Sequence, residues 1–451
     1  MQQNSERFVR MTETPVPKLI TKLAVPTIIS MLVTAIYNMA DTFFVGRIPE
    51  NATQATAAVG LVFPLMAVIQ AMGFFFGHGS GNFLSRKLGA GEQDKAEEMA
   101  ATGFALALIT GTLIAVAGNL LISPLTDLLA SDDVTSETIA MTGDYTRIIL
   151  IGAPFMMGQF VINNQLRFQG SAVYAMVGLV TGAVLNVFLD PLLILVLHMG
   201  VTGAAIATVA GQIASFFVLF AGSRRGENLR LRFKNIRINR YYLAEILNGG
   251  APSLFRQGLA ALATVLLNRA AGQFGGDAAI AGMSIVTRVM MLLASALIGF
   301  GQGYQPVCSF NYGAGLKTRV REGYWFCVKW GTVFLVGIGA ACFFLAPQIV
   351  AFFRDDADVI AVGKVALRFQ ACALPLNGVI VMTNMMLQSI GHGLKASVTA
   401  SARNGLFFIP AILILPRVFG LLGVEMTQTA ADLCAFILCL PLALTELKTM
   451  R

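Results

Sequence analysis

The sequence predicts an all-helical polytopic membrane protein whose twelve spans form two six-helix repeats. Three observations carry that prediction: the composition, the length of the apolar runs, and self-similarity along the chain. Of the 451 residues, 56% are hydrophobic and 12% charged, with mean hydropathy +0.71. A soluble globular chain carries about 25% charged residues, so this one has too little charge to coat a water-facing surface. Secreted domains, soluble enzymes and disordered scaffolds are excluded. A transmembrane β-barrel is excluded as well, because its segments alternate apolar and polar over about 10 residues.

A spanning helix needs about 20 apolar residues. Such runs are predicted near 20–45, 56–81, 98–120, 141–164, 172–197, 202–221, 245–270, 279–304, 324–345, 360–389, 396–416 and 422–445. Helices with short connections alternate direction, so every second loop faces the same side. One set comprises the N-terminus, the loops near 82–97, 165–171, 222–244, 305–323 and 390–395, and the C-terminus. It contains nearly all the loop Lys and Arg, among them Arg224, Arg225, Arg230, Arg232, Lys234, Arg237 and Arg240. The opposite set holds only Arg47, Arg354 and Arg417, and is acidic through Asp127, Asp132, Asp133, Glu137, Asp355, Asp356 and Asp358. Basic loops stay on the cytoplasmic side, so both termini are expected there. The net charge of +8 then marks topology, and no nucleic-acid partner is expected.

The polar segment 1–22, with Pro15 and Pro17, lacks the pattern of a cleaved signal peptide. The six cysteines (Cys308, Cys327, Cys342, Cys372, Cys434 and Cys439) form no C-x-x-C pair. They are read as small buried apolar residues without metal or redox work.

The chain repeats itself. Leu88-Gly89-Ala90-Gly91 returns as Tyr312-Gly313-Ala314-Gly315, an offset of 224, and Asp132-Asp133 returns as Asp355-Asp356, an offset of 223. Pro154 with Gln169-Gly170 returns as Pro375 with Ile390-Gly391, an offset of 221, and Pro26 returns as Pro252, an offset of 226. Six helices per half is an even number, so the repeats are expected to be parallel, related by an axis along the membrane normal. The expected division is an N-lobe at 1–221, a basic linker at 222–244 and a C-lobe at 245–451. Such an architecture places a substrate path between lobes, which is a transporter layout.

The segment Tyr37-Asn38-Met39-Ala40-Asp41-Thr42-Phe43-Phe44-Val45-Gly46 resembles the first helix of multidrug and toxic compound extrusion (MATE) transporters. Leu88-Gly89-Ala90-Gly91, Gln169-Gly170 and Asn186-Val187-Phe188-Leu189-Asp190-Pro191 are similar to that family too, and the likeness spans the whole chain in the manner of the bacterial MepA-like branch. The resemblance implies a V-shaped pair of six-helix lobes that exports drugs against an inward H⁺ or Na⁺ gradient.

Charge within a bilayer costs at least about 2.5–3.5 kcal/mol per residue, so the acids deep in the predicted helices are functional candidates: Asp41, Asp190 and Asp432. Asn186 and Asp190 are four apart and share a helix face. Pro191 has no N–H to offer the carbonyl of Val187. A carboxylate, an amide oxygen and that carbonyl together suit a dehydrated Na⁺, and the carboxylate alone suits a proton. The plain alternative is an Asp bonded to a neighbouring helix. The resemblance implies that Asn186 and Asp190 belong to an N-lobe cation site, that Asp41 takes part in coupling, and that Thr208 supplies a hydroxyl ligand. By itself, Thr208 could equally bond its own i−4 carbonyl, and Asp41 could be an interfacial residue near Arg47. Two close carboxylates titrate as a coupled pair. Their occupancy could bias the first helix about Pro26, which could equally be a static kink.

Tyr37, Asn38, Met66, Gln70, Phe155, Met156, Gln159, Asn163, Gln257 and Asp432 are the candidates for a substrate cavity. Asn163, Asn164 and Gln165 could instead bond between helices, and His78 in its glycine-rich run reads as a packing residue. In the second half Arg256, Arg269, Arg288 and Arg403 accompany the single deep acid Asp432. That acid is read as neutralising an arginine, with direct contact to a cationic drug as the alternative. The expected activity is antiport of amphipathic organic cations, by a monomer in the bacterial cytoplasmic membrane, with H⁺ or Na⁺ as coupling ion and no cofactor. No motif for enzymatic or ATP-driven chemistry is present. A lipid-linked sugar flippase of the same superfamily is the competing reading.

Overall fold

The computed structural model describes residues 6–48, 52–129 and 135–450, apart from the side chains of Asn38, Met39, Thr42 and Ala52. Asp132 and Asp133 lie outside the described residues. Lipid offers no partner for backbone N–H and C=O groups, so an apolar chain must satisfy them within helices. Every regular element among the described residues is accordingly helical. The first half contains α1 (Glu6–Glu13), α2 (Val16–Val45), α3 (Ala52–Gly89), α4 (Gln93–Leu120), α5 (Ile122–Leu129), α6 (Ser136–Phe168), α7 (Ala172–Pro191) and α8 (Gly200–Ser223). The second half contains α9 (Arg240–Gly313), α10 (Lys317–Phe344), α11 (Ala346–Phe353), α12 (Ala357–Ala373), α13 (Leu376–Ile390), α14 (Gly393–Ser401), α15 (Phe408–Phe419) and α16 (Leu421–Lys448).

Among the described residues ten helices are long and apolar enough to span, and α12 with α13, bent by 57°, makes an eleventh. The bend falls at Pro375, which cannot continue the hydrogen-bond ladder of α12. The remaining span lies inside α9. Its 74 residues break at Gly276, where φ is 63° and ψ −157°, a conformation open only to glycine. The predicted runs 245–270 and 279–304 fall on either side of that break. Both arms supply one core, through Ala263, Leu267 and Ala271 before the break and Ala279, Met283 and Val286 after it.

The repeat is visible in hydrogen bonds as well as in sequence. Gly91 and Gly315 both have φ 77°. The turns match: Gly91 N–H donates to Leu88 O (3.1 Å) and Glu92 N–H to Lys87 O (2.8 Å), while Gly315 N–H donates to Tyr312 O (3.1 Å) and Leu316 N–H to Asn311 O (2.8 Å). Asn163 Nδ2 donates to Ala175 O at 2.9 Å, and Asn384 Nδ2 donates to Ala396 O at 2.7 Å. Both members of that pair are shifted by 221 residues.

By packing, the chain forms two compact units, one of residues 29–250 and the other of 1–28 with 251–451. These limits differ from the sequence-based bounds of 1–221 and 245–451 at both helices that lead into a half. In the second unit α2 lies close against α9 and α10, because glycines leave room for it. A Cβ on Gly299 would stand 2.7 Å from Ile28 Cα, and one on Gly323 3.2 Å from Ile20 Cδ1. Arg319 Nη2 donates to Thr14 O (2.5 Å) and Asn311 Nδ2 to Met11 O (3.1 Å), holding the amphipathic α1 in place. In the first unit, the start of α9 packs on α3, where a Cβ on Gly249 would meet Gly79 Cα at 3.1 Å. The basic linker is docked rather than loose. Gln169 Oε1 accepts from Leu229 N–H at 2.6 Å, Thr102 Oγ1 from Arg237 N–H at 2.8 Å, and Glu97 from Asn235 Nδ2 at 3.0 Å.

Candidate functional site

The site begins with two glycines. A Cβ on Gly182 of α7 would stand 2.6 Å from Gly211 O of α8, and one on Gly211 would stand 2.7 Å from Gly182 O. Their absence lets the two helices touch backbone to backbone one turn before Asn186 and one turn after Thr208. Asn186 Nδ2 accordingly reaches Asp190 Oδ1 at 3.3 Å and Thr208 Oγ1 at 3.5 Å. All three side chains are buried, Asp190 completely. Pro191 ends α7 and is followed by a π-helical turn, Leu192–Val196, so the helix widens there instead of unwinding. Widening is a common local answer to a missing N–H.

The second half of α2 completes the site. Gln212 Nε2 of α8 donates to the Tyr37 hydroxyl at 3.5 Å. Asp41, one turn further along α2, is close enough to Asp190 for the two carboxylates to act on each other. Tyr145 of α6 is fully buried beside Thr208, within the field of both acids. Thr34, Tyr37, Gln159, Asn186, Thr208, Gln212 and Ser215 supply the polar lining of a cavity of about 30 Å³. A water molecule needs roughly 10–15 Å³ measured in this way. The cavity therefore takes a water or a small dehydrated cation and is far too small for a drug.

Among the described residues Asp41 Oδ1, Asn186 Oδ1, Asp190 Oδ2, Gln159 Oε1 and Gln212 Oε1 are buried without a hydrogen-bond partner. Five unfilled acceptors around one region are costly in a low-dielectric interior. They are what a proton or a hard, oxygen-seeking cation would satisfy. No cluster of His, Cys, Asp and Glu suited to a metal ion occurs among the described residues.

The predicted residues divide by location. Asn186 bonds both Asp190 and Thr208. Asn186 and Thr208 line the small cavity together with Tyr37 and Gln159, whereas Asp41 and Asp190 lie outside its lining. Met156 is in the apolar core, with Met66 and Phe155 packed against that core. Gln70 and Gln257 are half-buried, and the side chain of Asn38 lies outside the described residues. Asn163 spends its amide on Ala175, and Gln165 bonds Ser80 Oγ and Ala100 O, both at 3.0 Å, so these two tie helices together. His78 is fully buried, bonds Phe74 O at 3.2 Å and stacks on that ring. Tyr145, Gln212 and Ser215 were missed by the sequence. Their signal was spacing: Gln212 and Ser215 follow Thr208 by four and seven residues, on one face of α8.

The second half differs. Asp432 is held by Arg403 Nε (2.8 Å), Asn377 Nδ2 (3.0 Å) and Gln428 Nε2 (2.8 Å), the arginine pairing expected from sequence. Glu425, early in α16, is a further buried acid that the sequence did not single out. Shifting Asn186 and Asp190 by 220–221 residues lands on Leu406, Phe407, Pro410 and Ala411. The oxygen cluster has no counterpart there.

Two helical repeats of spanning length, one enclosing an ion-sized polar cavity, define a multi-pass membrane transporter. Comparison with known proteins gives the family. The MatE profile matches residues 26–192 and again 252–413, one match per repeat, and the chain belongs to the MatE family. It is 29% identical over 439 residues to a multidrug export protein MepA of Staphylococcus haemolyticus, covering 96% of this chain and 94% of that protein. Its fold is similar to a crystal structure of MATE in complex with MaL6, with TM-score 0.91, 26% identity and 99% of each chain covered. It is also similar to the outward-facing conformation of a multidrug resistance MATE family transporter of the MOP superfamily, with TM-score 0.90, 27% identity and 98% of each chain covered.

Proposed function

We propose that this chain exports amphipathic organic cations in exchange for inward H⁺ or Na⁺, with the coupling ion held by Asp41, Asn186, Asp190 and Thr208. The observation that carries the reading is an ion-sized cavity lined by Asn186 and Thr208, taken with the unfilled buried oxygens of Asn186, of Asp190 bonded to it, and of Asp41. Relatives named as multidrug export proteins support the substrate class.

In this mechanism the coupling ion acts on the repulsion between Asp41 and Asp190. A cation or proton at Asp190 removes one negative charge and lets α2 settle against α8 through Tyr37 and Gln212. Its departure restores the repulsion and loosens that contact. Pro26 withdraws an N–H from the ladder of α2, so bending concentrates there. Ion release and drug binding thereby alternate as the lobes rock between inward- and outward-open states. The protein acts as a monomer in the bacterial cytoplasmic membrane, with both termini inside.

The test is transport of a fluorescent organic cation into liposomes under an imposed pH or Na⁺ gradient. Wild type is compared with Asp41→Asn and Asp190→Asn. Flux under one gradient, lost in both variants, supports antiport and names the ion. Flux that ignores both gradients overturns it. Folded protein without cation flux would favour lipid-linked sugars as the cargo.

A further inference from the structure

In the unit formed by 1–28 and 251–451, a surface groove of about 780 Å³ is lined by Pro17, Lys18, Thr21, Lys22, Phe300, Phe326 and Trp330. Its floor is aromatic: Phe300 of α9 and Phe326 of α10 lie with ring centroids 6.4 Å apart, and Trp330 is 54% exposed beside them. Its rim is cationic. Lys18 and Lys22 stand one turn apart on α2, both exposed, and neither has an acidic partner among the described residues.

The position of the groove along the helices says what it faces. Lys18 and Lys22 sit in the first two turns of α2, immediately before its apolar stretch. Trp330 and the adjacent exposed Lys329 lie within the first two turns of the apolar run predicted at 324–345, which follows the basic start of α10, Lys317–Arg321. Both tryptophans of the chain, Trp325 and Trp330, are exposed on this helix. Tryptophan concentrates at the headgroup level of a bilayer, and lysine extends its ammonium to the same level while its stem stays in the apolar layer. Unpaired ammonium groups above an aromatic floor, at that depth, complement one ligand chemistry: a phosphodiester joined to acyl chains.

We propose that this groove binds an anionic phospholipid, with the headgroup phosphate on Lys18 and Lys22 and an acyl chain along Phe300, Phe326 and Trp330. The charge complement and the apolar floor occur together only for a lipid. A free phosphate would use the two lysines and leave the aromatic floor in water.

The experiment is native mass spectrometry of the full chain with phosphatidylglycerol or phosphatidylcholine added in detergent. The wild type should retain phosphatidylglycerol over phosphatidylcholine. Lys18→Gln with Lys22→Gln should weaken phosphatidylglycerol retention on the order of tenfold, since each basic residue near a membrane surface adds attraction to anionic lipid. Trp330→Ala should weaken both lipids alike. Arg225→Gln with Arg230→Gln, an equal charge change in the exposed linker, should bind as wild type does. Unchanged retention in the double lysine variant overturns the site, and so does an equal loss in the linker variant, which would report overall charge. Displacement of the lipid by millimolar inorganic phosphate would overturn the lipid in favour of a free anion. Should the double variant not fold, as judged by size-exclusion chromatography, Lys22→Gln alone carries the test through a smaller loss of phosphatidylglycerol.

Discussion

Asp190 has no exposed surface, and among the described residues one of its oxygens has no donor, while the other shares the single amide of Asn186 with Thr208. A carboxylate so poorly served by its own protein leaves an oxygen for the cation proposed above to satisfy. Asp190→Asn should therefore abolish gradient-driven flux in liposomes while leaving the thermal unfolding midpoint near wild type. Asn186→Ala should slow flux by about tenfold, the order of magnitude of one lost hydrogen bond to a charged group. Asp432 is the opposite case, with Arg403, Asn377 and Gln428 all turned onto it. Asp432→Ala strands Arg403 and should lower stability by about 3 kcal/mol, whereas Asp432→Leu with Arg403→Leu should recover most of that loss. Thermal unfolding in detergent distinguishes the two, and a double variant no more stable than the single one would remove the ion pair from the explanation.

At the scale of elements, α7 and α8 are held at backbone contact by Gly182 and Gly211, and the site depends on that closeness. Gly211→Ala places a Cβ 2.7 Å from a backbone carbonyl that cannot turn aside. The helices must separate, and Asn186 should lose Thr208. The expected outcome is a fall in ion-coupled flux larger than the fall in unfolding midpoint, read from the same preparation. The turns at Gly91 and Gly315 test the repeat. Both have φ 77° and matching hydrogen bonds, so alanine at either should cost a similar amount, about 1–2 kcal/mol. Unequal losses would mean that the two turns carry different strain despite their common geometry.

For the whole molecule, the loop charges set the orientation to be tested. A single cysteine at Arg225 or at Arg354, in a background without the six native cysteines, should label asymmetrically in intact cells. An impermeant maleimide is expected to reach Arg354→Cys from outside and Arg225→Cys only after permeabilisation. The packing units matter at this scale too. Residues 1–28 belong with 251–451, and residues 240–250 belong with the first half. The helix carrying Tyr37 and Asp41 thus starts in one unit and ends in the other.

Hydropathy was sufficient to determine the membrane class and the twelve runs, because lipid leaves a chain no choice but helix and long apolar runs encode it directly, and recurring turn and proline motifs revealed the repeat. Spacing was enough to put Asn186 and Asp190 on one face, depth in an apolar run singled out Asp41, and the MATE resemblance added Thr208 and the coupling role of Asp41. What the sequence could not contain is distance. That Tyr37 and Gln159 line an ion-sized cavity, that Asn163 and Gln165 tie helices together, and that Tyr145, Gln212 and Ser215 stand at the site all depend on which helices touch. Contact between α7 and α8 is decided by two glycines 29 residues apart, and nothing local to either announces the other. The pairing of Asp432 with Arg403, rather than with another arginine of the second half, was likewise settled by packing. A side chain's chemistry is local, but its partner is chosen by the fold.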